Sequence, residues 1–75
     1  MAFADKLKEA RARRVLSQSE LSARAGVARV TIARAEMGQV VPHQRTIRKL
    51  AEALGVDPFD LVTPEDMERK AKSAA

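Results

Sequence analysis

The run Ser17-Gln18-Ser19-Glu20 constrains the fold more than any other part of the chain. The Ser17 hydroxyl can accept from the Glu20 backbone amide while the Glu20 carboxylate reaches back to the Ser17 amide, a reciprocal cap that starts a helix. Leu21 and Ala25 then fall four apart on one side, and Gly26 stops the helix, because glycine takes up the left-handed conformation a tight exit demands. The spacing therefore predicts a helix over about 18–25 with a turn directly behind it. A chain of 75 residues has room for one such core, since folding at that size hides only about 60% of the unfolded surface.

The remaining chain reads as further helices separated by stops. Strand signals are weak: aromatic residues make up 3% of the chain and no period-two alternation is sustained. Phe3, Leu7 and Ala10 lie at helical spacing, with Arg11 next on the same stripe, and predict a first helix over about Phe3 to Arg14. A third helix is expected from about Arg29 to Met37. At 100° per residue it puts Ala28, Ile32, Ala35 and Glu36 on one side and Val30, Ala33, Arg34 and Met37 on the other. Ile47, Leu50, Ala51 and Leu54 form the i, i+3, i+4, i+7 stripe of a fourth, which Gly55 ends. Asp57-Pro58 signals a fifth short helix carrying Phe59, Leu61 and Val62. Thr63-Pro64-Glu65-Asp66 repeats that start signal, so 63–75 is expected to form a C-terminal helix or tail, and 1–62 the domain.

Charge narrows the function classes. The chain carries 14 Lys and Arg against 10 Asp and Glu, a net +4, and the excess is uneven: residues 1–56 hold 11 basic and 5 acidic side chains, residues 57–75 hold 3 and 5. A compact cationic body attracts polyanions, without the sum alone choosing between nucleic acid, acidic protein and anionic lipid. Without cysteine, and with His43 the one histidine, there is no thiolate nucleophile and no metal site to expect; no cofactor is expected and an enzyme is disfavoured. The opening Met1-Ala2-Phe3-Ala4-Asp5 lacks a cationic stretch followed by an apolar one, and no apolar run approaches the roughly 18 residues that cross a bilayer, so a cytoplasmic protein is expected.

Two short helices joined through Gly26, followed by a helix with a Val/Arg/Met outer stripe, make a helix-turn-helix pattern. Residues 17–38, SQSELSARAGVARVTIARAEMG, with TIRKLAEALGV at 46–56, resemble the phage repressor and Cro family of regulators, also called the XRE family. The resemblance rests on Leu16-Ser17-Gln18, Gly26-Val27, Thr31-Ile32, Glu36-x-Gly38 and Leu50-Ala51-x-Ala53-Leu54-Gly55, and runs from about Phe3 to Val62. It implies an all-α, five-helix, lambda-repressor-like domain whose third helix enters the major groove of double-stranded DNA, and hence a sequence-specific transcription regulator, a repressor in the first instance. Carried over position by position, it implies base reading by Gln18, Arg29, Val30, Ala33 and Arg34. Backbone contacts would come from Ser17, Thr31, Gln39, Arg45 and Thr46, with His43 and Arg14 weaker candidates and Gln18 able to serve there too. An arginine of helix one paired with a glutamate ending helix three is common in the family, which implies a buried, structural Arg11 to Glu36 salt bridge. A homodimer on a palindromic operator is expected, joined through helix five and the tail by Phe59, Leu61, Val62 and Met67.

The sequence also departs from the family. Val15 stands where a glycine often ends helix one, and Ala28 replaces the Ser or Thr that usually caps the recognition helix. His43 takes a similar cap position before helix four; Ser22, Ala25 and Ala35 replace common Ala, Leu and Ile; Met37 replaces a polar or cationic residue. The bland reading of Arg29 and Arg34 is a solvated helix face, and that of Val30 and Met37 is burial against a protein. A competing function is therefore a protein-interaction module of the same fold, such as an antitoxin or an adaptor.

Overall fold

The computed structural model describes residues 3–62, and the expectations for a sixth helix, the 63–75 tail and Met67 lie outside them. Four α-helices occur in order: α1 Phe3–Arg13, α2 Gln18–Ala25, α3 Arg29–Glu36 and α4 Gln44–Leu54; a single 3-10 turn, Pro58–Asp60, comes after them. No strand is present among the described residues, and none of their helices is long and apolar enough to cross a membrane. The start of α2 is the reciprocal cap: Glu20 N–H donates to Ser17 Oγ at 3.0 Å and Ser17 N–H to Glu20 Oε1 at 3.0 Å. Accepting that backbone N–H, and then the contact with the Ser17 side chain, hold the Glu20 carboxyl below its ordinary value.

The expected fifth α-helix is corrected to that 3-10 turn. Asp57 caps it, accepting from Phe59 N–H at 2.9 Å, while Asp60 accepts from Asp57 N–H at 3.1 Å, so the start signal is used in full. The next residues do not extend it. Leu61 and Val62 drop straight into the core, each fully buried, and leave Phe59 as the exposed apolar residue of the turn. The helix-five interface expected for a dimer accordingly loses Leu61 and Val62.

One apolar cluster joins the elements. Phe3 and Leu7 of α1, Leu21 of α2, Ile32 and Ala35 of α3, and Ile47, Leu50, Ala51 and Leu54 of α4 meet Leu16, Val27, Leu61 and Val62. With α1 and α2 both packed on α3, and α4 closing against α2 and the 3-10 turn, α3 is held along one side only. At the C-terminal end of α4, Arg14 Nε donates to the Leu54 carbonyl at 2.8 Å, supplying a cation and a donor where helix carbonyls lack partners. Its guanidinium lies where a Cβ on Gly55 would stand, but a flexible arginine end can move aside, and it is the φ of +70° that favours glycine there. Arg14, one of the weaker candidates for a backbone contact, thus also holds the end of α4.

Candidate functional site

The turn between α2 and α3 sets the angle at which α3 is displayed. Gly26 adopts φ +67°, and its N–H donates to the Ser22 carbonyl at 2.9 Å; Val27 N–H reaches the same carbonyl at 3.3 Å. The Ser22 hydroxyl completes the clamp by donating to the Val27 carbonyl at 2.6 Å. The clamp is a role the sequence reading missed; the signal was a hydroxyl four residues before a helix-ending glycine. Val27 is buried behind the turn, and α3 begins at Arg29 after an Ala28 that offers no side-chain cap.

Ile32, Ala35 and Glu36 of α3 face inward and are buried. Arg29, Val30 and Arg34 are exposed and Ala33 is half-buried, while Met37 just past the helix end is 67% exposed and Val30 56%. The four positions assigned to base reading on α3 therefore lie off the core, with two arginines flanking an apolar strip of Val30 and Ala33. Thr31, taken for a backbone contact, is half-buried at the edge of this surface.

The fifth base-reading candidate comes from α2. Gln18, first residue of that helix and half-buried, donates from Nε2 to Glu36 Oε1 at 3.1 Å. Glu36 also receives Arg11: Nε meets Oε2 at 2.7 Å and Nη2 meets Oε1 at 2.9 Å, while Arg11 Nη1 donates to the Leu16 carbonyl at 2.8 Å. The two parallel bonds form a fork-to-fork pair between a buried glutamate and an arginine that is still partly exposed. Hydrogen bonding to Glu36 raises the Arg11 pKa above its usual value, against the lowering effect of partial burial. The pair ties α1 to the end of α3, and the Gln18 bond adds the start of α2 to the same carboxylate.

The remaining backbone candidates surround this surface in sequence but come from separate segments. Ser17 and Gln39 are exposed, the second just after Gly38 at the end of α3, with its N–H on the Arg34 carbonyl at 3.0 Å. Arg45 is exposed and Thr46 half-buried in the first turn of α4. His43 caps that turn, its Nδ1 accepting from Arg45 N–H at 3.2 Å, and lines a surface depression with Arg45 and Thr46. The first turns of α2 and α4 thus each bring hydroxyl, amide or guanidinium donors to the surface, together with backbone N–H groups of the kind that favour anions. Val40 and Val41 of the intervening loop are partly exposed, with Pro42 buried behind them.

Comparison with known proteins gives this geometry a context. A family model described as Helix-turn-helix matches residues 7–61, from within α1 to just past the 3-10 turn. Over 51 residues the chain is 42% identical to an uncharacterized HTH-type transcriptional regulator, y4dJ, of Sinorhizobium fredii, the match covering 68% of this chain and 66% of that protein's length. In three dimensions it is similar to the restriction-modification controller protein C.AhdI from Aeromonas hydrophila, known from a crystal structure. The TM-score is 0.75 at 36% sequence identity, over 79% of this chain and 89% of that one.

Proposed function

The chain belongs to the helix-turn-helix family, in its phage repressor and Cro-like branch, and from that membership we propose that it is a sequence-specific double-stranded DNA-binding transcription regulator. The observation that carries the reading is the division of α3: Ile32, Ala35 and Glu36 anchor it while Arg29, Val30, Ala33 and Arg34 are turned off the core. An α-helix fits the major groove, where an arginine can donate twice to guanine O6 and N7 and small apolar groups rest on thymine methyls. Arg29 and Arg34 take the first role, and Val30 and Ala33 the second. Ser17, Thr31, Gln39, Arg45 and Thr46 hold the phosphates, which fixes register without reading sequence. The two similar proteins, one a transcriptional regulator and the other a controller protein by name, support this reading.

The regulator acts most simply as a repressor, by occupying its site, and as a homodimer that sets two α3 helices about 34 Å apart on one face of a palindromic operator. With Leu61 and Val62 spent on the core, Phe59 is the exposed apolar residue of the described part of the expected interface. The chain works by binding and not by catalysis. A second reading, a protein-interaction module of antitoxin or adaptor type, draws on the exposure of Val30 and Met37, apolar groups that a protein partner would also cover.

Selection of bound sequences from a random duplex pool separates the two. The regulator reading expects enrichment of a two-fold symmetric motif whose half-sites lie one helical turn apart; a pool that returns without enrichment rejects it in favour of the interaction module.

A further inference from the structure

The hydrogen bond from Gln18 to Glu36 fixes more than the position of a side chain. Arg11 donates to both oxygens of the Glu36 carboxylate, 2.7 Å to Oε2 and 2.9 Å to Oε1, so both oxygens act as acceptors. The third group at this carboxylate must therefore also be a donor. Of the two ends of the Gln18 amide, the NH2 can face Glu36 and the carbonyl oxygen cannot, which sets the polarity of the amide on chemical grounds. The carbonyl oxygen is then turned away from Glu36, accompanied by the second amide hydrogen. Glu36 is buried and braced by Arg11, so it holds this orientation before any partner arrives.

Polarity decides what such an amide recognises. A phosphate presents only acceptors, so it can take the second amide hydrogen but leaves the outward carbonyl oxygen without a donor. In the major groove adenine and cytosine present amino groups, on N6 and N4, that donate to an oxygen; adenine adds N7, which accepts the second amide hydrogen. Resting on the DNA-binding reading, we propose that Glu36 is a positioning residue that presents the Gln18 carbonyl oxygen to the duplex. Gln18 thereby selects a base pair bearing a major-groove amino group, adenine before cytosine, instead of anchoring on the phosphate backbone. The buried ion pair is then both a brace for α1 and α3 and the element that orients a specificity-determining residue on α2.

The test uses the full chain and the duplex site recovered by selection. Each adenine of the site is replaced in turn by purine, which lacks the N6 amino group but keeps N7, and affinity is measured for the wild type and for Gln18→Met. At one adenine per half-site the wild type should lose roughly 5- to 150-fold while Gln18→Met, already weakened by a similar factor, loses almost nothing further. Glu36→Gln, whose amide can donate as well as accept, should relax the preference at that same base pair while the preferences set by α3 persist. A purely structural Glu36 would instead weaken every base pair's contribution alike. Should Glu36→Gln fail to fold, as read by its far-ultraviolet circular dichroism, the coupling between Gln18→Met and purine decides alone. The proposal is overturned if Gln18→Met is coupled to no adenine or cytosine amino group, and most directly if its effect is matched by a neutral methylphosphonate linkage. In either case the recovered site would leave the DNA-binding reading standing; a pool without enrichment would reject that reading and this proposal together.

Discussion

At Val15 the backbone turns through φ +54° with the side chain 86% exposed, a left-handed conformation that costs a β-branched residue about 1–3 kcal/mol. The position is the exit of α1, where Val15 N–H bonds the Ala12 carbonyl at 2.9 Å and Leu16 N–H the Arg11 carbonyl at 3.2 Å. The chain tolerates the strain because Leu16, next in line, is buried and Arg11 grips its carbonyl. Glycine adopts this φ freely and loses about 0.5–1 kcal/mol through its more disordered unfolded state. Val15→Gly should therefore raise stability by about 1 kcal/mol in urea unfolding, a shift of several degrees in the thermal midpoint of so small a domain. A fall in stability would mean that the exposed valine makes contacts worth more than its strain.

Among the elements, the link between α1 and α3 is the most demanding. Glu36 is sealed from water while the Arg11 side chain retains 21% of its exposure, so the partners are not equivalent. Removing Arg11 strands a carboxylate in the core with Gln18 as its remaining donor; removing Glu36 leaves a guanidinium that can turn towards solvent. Arg11→Ala is expected to cost about 3–5 kcal/mol and Glu36→Ala measurably less, both by chemical denaturation. Equal, small losses would show that the pair contributes little. Sequence reading reached this pair, and it reached α1 to α4 to within a residue or so at each end, because caps, glycine stops and apolar stripes are local signals. It overextended the fifth helix: Asp57-Pro58 marks a start but says nothing about length, and Leu61 and Val62 were read as a helix face when the core claims both. The roles of Arg14, Ser22 and Glu36 towards Leu54, Val27 and Gln18 escaped it, because each depends on how elements or turns meet in space.

In the molecule as a whole, labour is divided around α3. Its inner residues belong to the same cluster as α1, α2 and α4, so the cost of holding the helix rigid is met by the core and not by the ligand. A surface prepared in this way does not spend binding energy on ordering itself. The cationic excess of residues 1–56 adds attraction to a polyanion at long range, but attraction carries no sequence information, and the site residues must supply it. Arg34 is the sharpest probe, since it is exposed on α3 and has no role in the core. The most direct measurement is the affinity of Arg34→Ala for the selected site and for each of its single-base-pair variants. Discrimination worth about 1–3 kcal/mol should disappear at one base pair per half-site while the other preferences persist. Unchanged affinity, or a loss spread evenly over all sequences, would contradict base reading by α3.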